Sequence, residues 1–187
     1  MSVQEFLIAL GGNLPRGEIG PEQTLLQALD RLASSGARVD AVSRFFRTPA
    51  YPAGSGPEFV NAAARLFAEG GPAELMKMLH DAEAGLGRER RDRWAPRSVD
   101  LDLLAAGDTV LPDAATQTRW RDLTPERQMQ DVPDGLILPH PRLQDRAFVL
   151  VPLNDIAPDW RHPLTGLRVD QMLRTLPAGD VDAITPV

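Results

Sequence analysis

An α+β fold built on an antiparallel sheet is predicted by two features of the 187-residue chain. Short β-rich runs alternate with runs of helical period in the order β-α-β-β-α-β. Clusters of Gly and Pro mark most of the boundaries between them.

Taken in order, Val3–Leu10 is apolar and ends in Gly11-Gly12-Asn13, a strand entering a tight turn. Pro21-Glu22-Gln23 opens a helix with Leu25, Leu26, Leu29 and Leu32 at helical spacing, and Gly36 ends it. Ala37–Phe46 alternates through Val39, Ala41, Ser43 and Phe45 and reads as a second strand. Thr48–Pro57 holds three prolines and two glycines, which makes it a loop. Phe59–Phe67 reads as a third strand. Its alanines favour helix, but Phe59, Asn61, Ala63, Arg65 and Phe67 share one face when the chain is extended.

Gly70-Gly71-Pro72 breaks the chain and places Pro72 at a helix start. Ala73–Leu86 carries Leu75, Met78, Leu79 and Ala82 on one side. Arg88–Pro96 is irregular. Ser98–Ala105 is β-rich and reads as a central strand. A strand-like Thr109–Leu111 follows, then a polar segment from Pro112 to Gly135 in which Thr124-Pro125-Glu126 resembles a helix start. Arg146–Ile156 is a helix ended by Pro158. Val169–Leu176 is a last short helix, and the tail after Pro177 is expected to fray. The order is ferredoxin-like, with helices on one face of the sheet and C-terminal additions. Residues 1–187 are expected to form one domain, with an insertion at about 112–135.

Composition narrows the function. Apolar content is 43%, charged content 25% and net charge −6, which speaks against a general nucleic-acid binder. No apolar run is long enough to span a bilayer. The first residues lack the basic start of a signal peptide, and there are no cysteines; a cytoplasmic location is the expectation. Only Lys77 is a lysine, so arginine is this chain's general cation and single arginines carry little information.

Clustered arginines carry more. Arg88–Asp102 holds five of them (Arg88, Arg90, Arg91, Arg93 and Arg97), with Trp94, and closes on Asp100 and Asp102. Arginine forks match phosphate oxygens. On a strand, Asp100 and Asp102 face the same side with Cα atoms about 7 Å apart. Oxygen donors at that spacing suit Mg²⁺, which takes one or two carboxylates plus phosphate and water. A basic solvated surface with two solvated aspartates is the plain alternative. Thr48–Asn61 is the candidate second half of the site. Phe59 could stack on a flat ring and Asn61 could pair with an amide edge, although both residues also suit an ordinary core. There is no P-loop, Rossmann fingerprint, G-x-S-x-G or histidine metal motif.

In this order, A-L-G-G-N-L (Ala9–Leu14), F-F-R-T-P-A-Y (Phe45–Tyr51), F-V-N-A-A (Phe59–Ala63), R-W-A-P-R-S-V-D-L-D (Arg93–Asp102), L-P-H-P-R-L (Leu138–Leu143) and R-A-F-V-L-V-P-L (Arg146–Leu153) resemble the 6-hydroxymethyl-7,8-dihydropterin pyrophosphokinase family. The resemblance implies transfer of pyrophosphate from ATP to the hydroxymethyl group of the dihydropterin in folate biosynthesis, with AMP released. It implies two Mg²⁺ ions on Asp100 and Asp102, and ATP contacts from Glu83, Arg88, Arg93, Arg97, His140 and Arg146. It implies phosphate-side catalysis by Arg90, Arg91 and Arg97, and pterin contacts from Thr48, Pro49, Tyr51, Phe59, Asn61, Trp94 and Phe148. A monomer acting on small molecules, with no nucleic acid and no membrane, is the expectation. A ferredoxin-like module that binds nucleotide or pterin without chemistry is the rival, and the D-L-D pair argues against it.

The chain departs from the family pattern in three places. Phe59 stands where tyrosine is common. His80 stands at a glutamine-type ATP contact, which is left unassigned. The interval from Asp102 to Leu138 is long, and Thr118–Asp131, with Trp120 and Met129, is expected to form an extra helix that decorates the surface rather than caps the ATP side.

Overall fold

The computed structural model describes residues 3–50, 56–87 and 98–187, the side chains of Pro125 and Met129 excepted. Tyr51, Arg88, Arg90, Arg91, Arg93, Trp94 and Arg97 lie outside the described residues.

Strand β1 (Val3–Gly12) is the spine of the sheet. It pairs antiparallel with β4 (Phe59–Glu69) on one side and with β5 (Asp100–Ala106) on the other. Strands β2 (Arg38–Val42) and β3 (Phe46–Thr48) share the far edge of β4, and β6 (Thr185–Pro186) pairs with β3. The order β5-β1-β4-β3-β6 is the ferredoxin-like one. Strand β5 therefore lies at an edge, not in the centre as its apolar character suggests.

Alternation along the strands supplies two apolar faces. Phe6, Ile8, Leu10, Ala62, Ala64, Leu66, Leu101 and Leu103 pack under α1 (Pro21–Ser34) and α2 (Pro72–Gly85). Both helices begin at a proline whose missing N–H costs nothing in the first turn. In α2 the Glu74 carboxylate accepts from the Gly71 N–H at 2.9 Å, serving one of the unpaired donors at the helix start. Gly36, at φ 102°, turns the chain from α1 into β2, a conformation that favours glycine.

The helices inside the β-α-β-β-α-β unit lie on one face as expected, and the C-terminal additions cover part of the other. There Leu7, Ala63, Leu104 and Ala105 meet α5 (Ala147–Ile156) and α6 (Val169–Leu173). A bulge in β5 makes this possible. Leu103 pairs with Ile8 and Ala105 with Leu7, so Leu104 is skipped. Leu104 and Ala105 thus both reach the α5 face.

Several expectations are corrected. The predicted strand Ala37–Phe46 divides into β2 and β3. The Ser43 hydroxyl accepts from the Ala63 N–H at 2.9 Å and donates to the Arg44 carbonyl, replacing ladder bonds at the break. Thr109–Leu111 is not a strand; only Leu111 bridges, to Leu138. Helix α6 ends at Leu173. The insertion folds as two short helices. In α3 (Ala114–Arg121) the Asp113 carboxylate caps the Thr116 N–H; α4 (Pro125–Gln130) starts at Thr124 as predicted. The tail is ordered rather than frayed, through α7 (Ala178–Asp182) and β6. Among the described residues no helix is long and apolar enough to cross a membrane.

Candidate active site

The half of the lower face that α5 leaves open carries the polar residues. Gly11 of β1 stands opposite Asp100 on one side and Asn61 on the other; Ala9 stands between Asp102 and Ala63. Cross-strand partners share a face, so Asp100, Gly11 and Asn61 form one row across three strands. Two strand spacings put the Asp100 and Asn61 Cα atoms about 10 Å apart. The row continues through Phe46, and Phe59 pairs with Thr48 on the next rung of the same face.

Asn61 is buried, and its orientation is set by both neighbours. Its Nδ2 donates to Thr48 Oγ1 at 2.8 Å. Its Oδ1 leans over Gly11, where a Cβ would come within 2.7 Å of it. Gly11 is thus required by close approach, a role the sequence reading missed. The signal for it is a glycine at the end of a β-rich run. Asn13 was also missed: its Nδ2 donates to the Pro57 carbonyl at 3.3 Å, tying the far end of the Pro-rich loop to the end of β1.

On the other side, Asp100 and Asp102 are half-buried, while Leu101 and Leu103 between and beyond them enter the upper core. The outer edge of β5 is served by Glu83, which is buried on α2. Its Oε1 accepts from the Leu101 N–H at 2.8 Å, so this carboxylate is engaged directly behind the D-L-D segment.

His140 reaches the site from the segment before α5. Its N–H donates to the carbonyl of the bulged Leu104 at 2.8 Å. Its Nδ1 accepts from the Arg142 N–H at 3.1 Å, which puts the ring proton on Nε2. Burial pushes its pKa down to about 3, helped by the charges of Arg146 and Arg142 and opposed by Asp100. His140 is therefore a neutral Nε2–H donor near Asp100, Arg142 and Arg146 at physiological pH. Arg142 is a second cation here that the motif reading did not single out.

Phe148, in the first turn of α5, is 40% exposed and lies under the Arg146 guanidinium at 5.5 Å. Phe59 is half-buried at the start of β4, and Pro49 is exposed just after β3. His80 is exposed on α2. The structure thus gathers Asp100, Asp102, His140 and Arg146 on the β5 side, and Thr48, Asn61 and Phe59 on the β3–β4 side.

Comparison with known proteins identifies the family. The family model described as 7,8-dihydro-6-hydroxymethylpterin-pyrophosphokinase (HPPK) matches residues 7–158. The 2-amino-4-hydroxy-6-hydroxymethyldihydropteridine pyrophosphokinase of Synechocystis sp. is 34% identical over 183 residues, covering 97% of this chain and 79% of that one. Its counterpart from Pseudomonas aeruginosa is 34% identical over 184 residues, covering 97% and 98%. Wild-type Plasmodium falciparum HPPK-DHPS superposes with a TM-score of 0.63 at 12% identity, over 92% of this chain and 44% of that one. That likeness speaks for the fold alone. The chain belongs to the 7,8-dihydro-6-hydroxymethylpterin-pyrophosphokinase family.

Proposed function

We propose that this chain transfers a pyrophosphoryl group from ATP to the hydroxymethyl oxygen of 6-hydroxymethyl-7,8-dihydropterin, as a step in folate synthesis. The observation that carries the reading is the open row in which Asp100, with Asp102 on the next rung, faces an oriented, buried Asn61 across Gly11. The substrate oxygen attacks the β-phosphorus of ATP, the bond from that phosphorus to the α–β bridging oxygen breaks, and AMP leaves. The hydroxyl proton is released.

The donor set fits Mg²⁺. Asp100 and Asp102 offer only oxygens, and among the described residues no group of three or more metal-ligating side chains exists. Such a pair suits ions that complete their shell with substrate phosphate and water, and two ions are proposed. Bound there, Mg²⁺ would neutralise phosphate charge and acidify the substrate hydroxyl.

The protein's own part is placement and charge. Asn61 presents Oδ1 to the amide edge of the pterin because Thr48 occupies Nδ2. Phe59 and Phe148 offer ring faces to the heterocycle, with Pro49, Tyr51 and Trp94 completing that pocket. Neutral His140 donates Nε2–H to ATP, and Arg146 supplies positive charge beside it. Glu83 holds the D-L-D strand and borders the ATP side. Arg88, Arg90, Arg91, Arg93 and Arg97 surround the phosphates and exclude water, which suppresses hydrolysis of ATP. With in-line placement and neutralised charge, no dedicated protein base is needed.

Incubating the protein with ATP, Mg²⁺ and the dihydropterin tests this. AMP should form only when all three are present. Formation of ADP, or no nucleotide turnover, would overturn the reading.

A further inference from the structure

Just before Thr118–Asp131, the segment expected to decorate the surface, α3 sends one side chain fully inside. Gln117 is 0% exposed. Its Nε2 donates to the Pro139 carbonyl at 3.1 Å. Its Oε1 is buried with no partner among the described residues. A leucine or methionine would fill the same volume without an orphaned acceptor, so the amide is held at a net cost on its oxygen side. Its remaining contribution is the bond to Pro139.

Pro139 is the residue before His140. The other restraints on this turn are already occupied. Leu111 and Leu138 exchange backbone bonds at 2.9 and 3.1 Å, the His140 N–H is held by Leu104, and His140 Nδ1 is held by the Arg142 N–H. The peptide plane between Pro139 and His140 has two polar ends. Leu104 of the sheet fixes its N–H, and Gln117 of the insertion fixes its carbonyl. With both ends of the plane held, the backbone from which the His140 side chain projects is fixed, and the Arg142 N–H on Nδ1 then sets the ring. Helix α3 is itself capped at its start, where Asp113 accepts from both Thr116 N–H and Thr116 Oγ1–H.

We infer that Gln117 is a positioning residue for ATP: through the Pro139 carbonyl it aims the Nε2–H of His140, so that the insertion sets the nucleotide side of the site from outside it. This rests on the reading of His140 as an ATP-binding group.

The test is kinetic and uses Gln117→Met, which keeps length and volume and removes the donor, together with His140→Ala and the double variant. Some thermal destabilisation accompanies either a structural or a positioning role, because Pro139 loses its donor; the assays are run where circular dichroism shows each variant folded. Gln117→Met should raise KM for ATP at least fivefold and leave KM for the pterin within twofold. In the His140→Ala background the same change should alter KM for ATP less than twofold. An unchanged KM for ATP in Gln117→Met, when His140→Ala raises it, overturns the inference alone. So does an equal effect in both backgrounds, or a parallel rise in both KM values. If His140→Ala leaves KM for ATP unchanged, the reading of His140 fails and the inference falls with it.

Discussion

The two faces of the sheet are made from the same strands and have opposite fates. On the upper face Phe6, Ile8, Leu10, Ala62, Ala64, Leu66, Leu101 and Leu103 are apolar and covered by α1 and α2. On the lower face α5 and α6 cover Leu7, Ala63, Leu104 and Ala105 and stop short of Asp100, Gly11 and Asn61. Polar groups persist where no helix lies over them: Asp100 and Asp102 stay half-buried, and buried Asn61 is offset by its bond to Thr48. The site is thus the uncovered remainder of a face whose other half is core. A half-covered sheet gives rigid placement and open access on the same three strands.

The largest expected contrast is on the open face. Asp102→Ala should lower kcat for AMP formation by about 10²–10³-fold, on the scale of losing one preorganised charge-stabilising group. Pterin affinity, measured by calorimetry, should stay within twofold. Near-normal turnover would break the assignment of the D-L-D pair. On the sealed face, Leu66→Ala should cost about 2–5 kcal/mol of unfolding free energy, since Leu66 is fully buried between sheet and helices. Both KM values should be unaffected; a shift in either would mean that the faces are coupled. The smallest effect is the sharpest in position. In Gly11→Ala the new Cβ would sit 2.7 Å from Asn61 Oδ1, so the amide must turn. Pterin affinity should drop about tenfold, or 1.4 kcal/mol, with ATP affinity retained. Equal loss of both would show that the sheet itself has been deformed.

Much of this was legible in the residues. The strands β1 and β4, helices α1, α2 and α5, and the D-L-D strand each carry a periodic apolar signal strong enough to stand alone. The alanine-rich β4 was read correctly because its large residues, Phe59 and Phe67, alternate with the helix-facing positions. What the sequence hid were effects set at a distance. The break between β2 and β3 depends on Ser43 meeting Ala63, twenty positions on. The edge position of β5 follows from topology, while its apolar content reflects the apolar clusters on its two faces. The order in the tail comes from pairing with β3, and no local propensity announces a strand as short as Thr185–Pro186. In the site, the aspartates, Asn61 and His140 were named from motifs. Gly11, Asn13 and Arg142 were not: the glycine at the end of β1 is only a weak signal for close approach, and the Asn13 bond to Pro57 and the Arg142 N–H bond to His140 are set by the folded chain.

The pairing of β6 with β3 bears on how the molecule behaves in a crowded solution. Phe45–Thr48 would otherwise present unpaired amides beside the strand that orients Asn61, a template on which another extended chain could grow. The Val187 N–H meets the Phe45 carbonyl at 2.9 Å, and Thr185 and Pro186 stand against Arg47 and Phe46. The new outer edge is only two residues long, and one of them, Pro186, has no N–H to offer. Sheet growth stops there, so the Thr48–Asn61 side of the candidate site is protected from edge-to-edge aggregation by β6.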